Sequence, residues 1–204
     1  MRRCAWRGDI DGRAWQRVFV AGGGRAVTTS STFFETAFNW VIGVEGDYTN
    51  DPGDPGNWTG GAVGSGQCNG TKYGISAAAY PTLDIANLTE AEAEAIYLQD
   101  YWTPIQGDSL PEALALVVFD AAVNSGVSQS VQWLQVVIGA ATDGDLGPET
   151  LAAVNGWTGG VASLCSEALA QRIAALGDDS DWNTFGLGWS RRCAALAFQA
   201  ATLL

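Results

Sequence analysis

Glu45 and Asp54 are the two carboxylates whose surroundings suit chemistry. Glu45 ends a strongly apolar run, FFETAFNWVIGV, and is followed by a glycine and then by a polar stretch. A carboxylate at the C-terminal end of a helix faces the negative end of the helix dipole, and partial burial beside Phe and Trp disfavours its ionised form. Both effects push the pKa upward, as a general acid requires. Asp54 stands nine residues later, between Pro52 and Pro55, whose fixed φ angles stiffen its loop. Glycosidic cleavage needs such a pair: an acid that protonates the leaving oxygen, and a second group that places a water or stabilises the oxocarbenium-like centre. Taken alone, the two residues read more readily as a surface cap and an Asx turn.

The elements that must hold these groups follow from the spacing of apolar residues. Phe33, Phe34, Ala37, Phe38, Trp40, Val41 and Val44 fall at helical intervals, with Thr32 and Glu35 as a capping box, and predict a helix ending near Glu45 and Gly46. The next segment, DYTNDPGDPGNWTGGAVGSGQCNG, is too rich in proline, glycine and asparagine for regular structure over most of its length. A loop of that length is usually functional or disordered. TKYGI reads as a short strand, and a Thr89/Glu92 capping box opens a helix through about Trp102. Ser109 with Glu112 opens another, which Gly126 closes. On that helix Asp120 and Asn124 share a face, where they can bind each other or a substrate. From Val127 onward SQSVQWLQVVIG, PETLAAVN, VASLCSEALAQRIAAL and WSRRCAALAFQA read as helices, joined by GDLGP and GDDSDWNTFG. The fold class is mainly α with one small β element.

Composition excludes several functions. Residues 1–30 hold six arginines against Asp9 and Asp11, a sum of +4, so with a net charge of −12 the rest of the chain carries −16. An acidic body without a basic stripe repels nucleic acid, so no DNA or RNA partner is expected. A substrate polymer with anionic groups would have to be bound by stacking and hydrogen bonds rather than bulk attraction. The apolar runs are too short to span a bilayer, which takes roughly 20 residues, so no stable membrane insertion is expected. The first residues lack the uninterrupted apolar core of a standard signal peptide. There is no histidine, which removes Ser/His and Cys/His catalysis and the usual zinc ligands. Cys4, Cys68, Cys165 and Cys193 form no CxxC pair, and Cys165 and Cys193 are either buried thiols or a disulfide.

The stretch EGDYTNDPGDPGNWTGG, continuing after an interruption into TKYGIS, resembles the glycoside hydrolase family 108 muramidases, phage and bacterial lysozymes with a signature close to EGGY, NDP, DPGG and TKYGIS. YLQDYW and FDAAVNSG agree with that family, and LQVVIGAATDGDLGPETLAAV resembles its C-terminal predicted peptidoglycan-binding region. Asp47 stands where the family usually has a second glycine, and about a dozen extra residues precede Thr71, an insertion whose closure entropy is small.

The resemblance implies an α+β lysozyme-like fold and hydrolysis of the β-1,4 bond between N-acetylmuramic acid and N-acetylglucosamine, without metal or cofactor. Glu45 is then the acid, Asp54 the residue that positions water, and Thr71 the hydroxyl that assists it. The expected partner is the glycan strand of bacterial peptidoglycan, bound by a monomer that is made in the cytoplasm and acts on the wall after release. A lytic transglycosylase and a catalytically silent wall-binding scaffold are the rival readings. Among nine tryptophans, Trp40 and Trp133 read as core, whereas Trp58 in the loop and Trp102 at a helix end are candidates for the cleft. Tyr48, Tyr73, Tyr97 and Tyr101 can line the same groove, with Asn124. The expected organisation is a flexible leader or misassigned start (1–30), a catalytic region (31–127) and a helical region (128–204) packed on it, since no flexible spacer intervenes.

Overall fold

The computed structural model describes residues 33–43 and 47–204. The expectations for residues 1–30 and for the Thr32 cap lie outside them. Helix α1 (Phe33–Ile42) buries Phe34, Ala37, Phe38 and Val41, the face its spacing predicts. It stops short of the expected end near Glu45, because Gly43 takes a left-handed conformation (φ 53°) that ends the helix.

The predicted strand is a minimal hairpin of β1 (Thr71–Lys72) and β2 (Ile75–Ser76), antiparallel with Lys72 opposite Ile75. Tyr73 and Gly74 both have positive φ, 52° and 74°, as the two central residues of a type I′ turn require. Helix α2 (Glu90–Tyr97) starts with the predicted capping box, Thr89 and Glu92 each bonding the other's backbone N–H. The backbone bond from Thr89, then its hydroxyl, holds the Glu92 carboxyl below its ordinary pKa. A π-turn, Leu98–Trp102, continues it.

Helix α3 (Glu112–Ser125) is the hub. It is buried without interruption from Ala113 to Ala122, as befits a helix enclosed on all sides. The predicted Ser109/Glu112 capping box does not form. Leu110, preceding Pro111, is held extended, and Ser109 instead closes a 3-10 turn over Gly107–Ser109.

Gly126 ends α3, and α4 (Val127–Ile138), α5 (Pro148–Asn155), α6 (Gly160–Gly177) and α7 (Trp182–Ala201) follow. Helix α7 begins at Trp182, inside the segment expected to be a connection, where Gly186 lets the Trp182 indole lie against the helix backbone. Helices α4, α6 and α7 all pack on α3, and one apolar core runs from Phe34 to Ala200. Between α4 and α5 the buried Gln135 bonds Asp143, Gly144, Asp145 and Thr150, so the GDLGP connection is ordered from within. Gln106 adds a bond to the Leu146 carbonyl.

Cys165 and Cys193, on α6 and α7, are free buried thiols; burial pushes the Cys165 thiol up to about 11 and raises that of Cys193 as well. Among the described residues no helix is long and apolar enough to cross a membrane.

Candidate active site

The loop after α1 is irregular but closely bonded. Asp51 and Asp54 each accept a bond from the backbone two residues on, Oδ1 of Asp51 from Gly53 N and Oδ1 of Asp54 from Gly56 N, both at 2.8 Å. Asp54 thereby caps a 3-10 turn, Pro55–Asn57, and its Asx-turn reading is correct as far as that oxygen goes. Its Oδ2 has no partner among the described residues, so one carboxylate oxygen holds the turn and the other is left for a ligand.

Asn57 gathers the loop into one unit. It is 1% exposed, in a segment where only Gly70 is also buried. Its Nδ2 donates to the Asp51 carbonyl at 3.0 Å, and its Oδ1 accepts from Thr71 Oγ1 at 2.7 Å. Its backbone N–H reaches the Asp54 carbonyl, and its own carbonyl accepts from Asn69 and Gly70. Thr71 is further fixed by a pair of backbone bonds with Thr49, at 2.8 and 2.9 Å. Asp54 and Thr71, seventeen positions apart, are thus tied to the same buried residue, one through the Asn57 backbone and the other through its side chain. Because the Thr71 proton goes to Asn57, its oxygen is left to accept, the polarity needed to hold a water by its hydrogen. Sequence reasoning missed Asn57, since a lone asparagine among turn residues has no periodicity and its burial shows only when the loop closes.

The aromatic candidates divide. Tyr48 is exposed, its ring against Gly70. Trp58 is half-buried, its indole N–H donating to the Pro52 carbonyl at 2.9 Å. Tyr73 is half-buried at the hairpin turn, with the Lys72 ammonium 5.4 Å from its ring centre. These three belong to the Asn57 loop and its hairpin. Tyr101 is half-buried beside Tyr97, ring centres 5.4 Å apart.

Tyr97 and Trp102, expected in the cleft, are core residues. Tyr97 is packed between Phe38 and Phe119 and donates to the Tyr73 carbonyl, holding the hairpin against α2. Trp102, 1% exposed, is enclosed by Phe33, Phe34 and Phe119, with its N–H on Asp108, and has no ring face to offer a sugar. Next to them the Tyr80 hydroxyl donates to Asp100 at 2.7 Å; burial first, then that bond, raises its pKa and keeps it a donor.

Asn124 neither bonds Asp120 nor stands apart from it. Both accept from Arg172 of α6, at 3.0 and 2.6 Å. Glu45 lies outside the described residues.

Truncating Asn57 to Ala leaves the Asp51 carbonyl and the Thr71 hydroxyl without their partner. The expected cost is about 1–3 kcal/mol in thermal unfolding. With Thr71 no longer held, a fall in kcat of about tenfold or more is expected, with KM nearly constant. Unchanged kcat in a folded variant would remove the positioning role.

The family model described as Glycosyl hydrolase 108 matches residues 38–126, from within α1 to the end of α3, the span that carries Glu45, Asp54 and Thr71. The solved structure of Brucella abortus SagA is 30% identical in sequence and superposes with a TM-score of 0.70, over 83% of this chain and 94% of that one. No curated protein matches the chain. Taken with the helical fold and the small hairpin, these likenesses show that the chain belongs to glycosyl hydrolase family 108 and is a glycoside hydrolase.

Proposed function

We propose that this enzyme is an N-acetylmuramidase, a lysozyme that hydrolyses the β-1,4 bond between N-acetylmuramic acid and N-acetylglucosamine. Family 108 membership implies a lysozyme-like hydrolase acting on peptidoglycan. The observation that carries the finer reading is the cluster around Asn57, which ties an aspartate with one unused oxygen and a threonine with an accepting hydroxyl to one buried asparagine.

In this reading Glu45 protonates the glycosidic oxygen as the bond breaks, and a water held between Asp54 and Thr71 attacks the sugar centre. Asp54 takes up the water's proton, and the departing sugar keeps the one from Glu45. No metal or cofactor takes part. The glycan strand is bound by a single copy of the chain, with Trp58, Tyr48 and Tyr73 offering ring surface beside the site.

A digest of purified peptidoglycan followed by mass spectrometry tests the reaction. Products ending in reducing N-acetylmuramic acid are expected. Anhydro ends would make the enzyme a transglycosylase, in which the sugar's own hydroxyl attacks and a water-placing aspartate is superfluous. An undigested sacculus would leave only a binding role.

A further inference from the structure

Between Asp54 and Thr71 the chain makes an excursion that the core does not use. Trp58 and Cys68 face each other as an antiparallel bridge, and residues 60–67 beyond it are all exposed, Val63 at 58%. The excursion is nonetheless built. Thr59 N–H bonds the Gln67 carbonyl at 2.9 Å, Gly60 N–H the Ser65 carbonyl at 3.0 Å, and Gln67 N–H the Thr59 hydroxyl at 2.9 Å. A side chain on Gly60 would collide with Ser65, and one on Gly66 with the Thr59 hydroxyl, so the two limbs of this arch are closely fitted.

The arch also grows out of the candidate site. One limb continues from Asn57 through Trp58, and the other returns through Asn69 and Gly70, both bonded to the Asn57 carbonyl, into Thr71. Its charge is a second, independent feature. From Pro55 to Thr71 there is no Asp, Glu, Lys or Arg, in a chain whose net charge is −12. Elsewhere an acidic surface repels a polymer bearing carboxylates; here hydroxyls, amides, open backbone and one indole meet it without repulsion.

We propose that residues 59–67, with Trp58, form a preformed docking arch for the glycan strand, adding binding for acetamido sugars beyond the four around the scissile bond. The proposal rests on the muramidase reading and names where the longer substrate lies. Backbone N–H groups and hydroxyls of the arch meet the sugar hydroxyls and acetamido carbonyls, Val63 meets an acetamido methyl, and the fixed Trp58 ring stacks at the base. Since the arch is already folded, little conformational entropy is lost on binding.

Replacing residues 60–66 by Asn-Gly tests this, because Thr59 N–H already bonds the Gln67 carbonyl, and a hydrogen-bonded pair is the closure that a two-residue turn suits. The expected result is a KM on polymeric glycan raised about tenfold with kcat kept, while turnover of a tetrasaccharide and the melting temperature change little. Val63→Asp, which adds a charge at an exposed position, should raise KM on the polymer in the same direction. Equal losses on polymer and tetrasaccharide, or an unchanged polymer KM, would overturn the arch. If the shortened chain does not fold, Val63→Asp decides by the same comparison. Failure of the wild type to cleave either substrate is a different outcome, which overturns the muramidase reading and the arch's ligand with it.

Discussion

With Glu45 as the proposed acid, Glu45→Gln is expected to lower turnover of purified peptidoglycan by roughly 100-fold or more, while binding to sacculi and the circular dichroism spectrum stay as in the wild type. The amide keeps the shape of the acid and removes only the transferable proton, so the loss falls on the chemical step. Asp54→Asn makes the companion test. An asparagine Oδ1 can still accept from Gly56 N and hold the 3-10 turn, so only the charge on the second oxygen is lost. Hydrolysis should fall in that variant too, whereas a transglycosylase would tolerate it. Near-normal activity in a folded Glu45→Gln protein would end the assignment of Glu45 as the acid.

What could be read from the sequence was what local patterns determine. The Thr89/Glu92 cap and the apolar face of α1 formed as the spacing predicts. The Tyr73-Gly74 turn also follows from its residues, though a single strand was expected there and a hairpin formed. Ser109 and Glu112 satisfy the same capping rule yet fail, because Pro111 forces its predecessor out of the helical region.

Trp102 shows another limit. An α-helix continued from Tyr97 would carry it outward as a helix-end residue, but the π-turn, marked by the Thr103 N–H to Leu98 carbonyl bond, changes the angular step between side chains and brings the indole into the core. Contacts distant in sequence were illegible altogether. Thr71 meets Asn57 across fourteen residues, and Asp120 meets its two arginines across fifty-two and seventy-two. Nothing in the residues between them encodes those meetings; they follow from closure of the loop and from the stacking of α6 and α7 on α3.

The second large effect is expected from Asp120→Asn. Asp120 is 0% exposed in the middle of α3, with Oδ2 2.6 Å from Arg172 Nη1 and Oδ1 2.7 Å from both Nε and Nη2 of Arg192. Taking the negative charge away removes the counter-ion that the two buried guanidiniums share, and removing one member of a buried ionic cluster costs about 3–5 kcal/mol. For a chain of this size that lowers the melting temperature on the order of 10 °C. The site also binds the C-terminal helices to the part of the chain carrying the candidate site, so α6 and α7 should loosen first, with faster amide exchange there than in α1. Burial by itself would raise the Asp120 pKa, but the Arg192 and Arg172 charges outweigh it and hold the carboxyl below its ordinary value. A native pKa lower than the unfolded one, about 3.9, means that the carboxylate's contribution is complete above that pH and fades as pH falls through the native pKa. Denaturant unfolding of wild type and Asp120→Asn should therefore show a constant gap from pH 7 down to about 4, narrowing at more acidic pH. A variant as stable as the wild type at pH 7, or a gap that widens on acidification, would contradict the role given to this cluster.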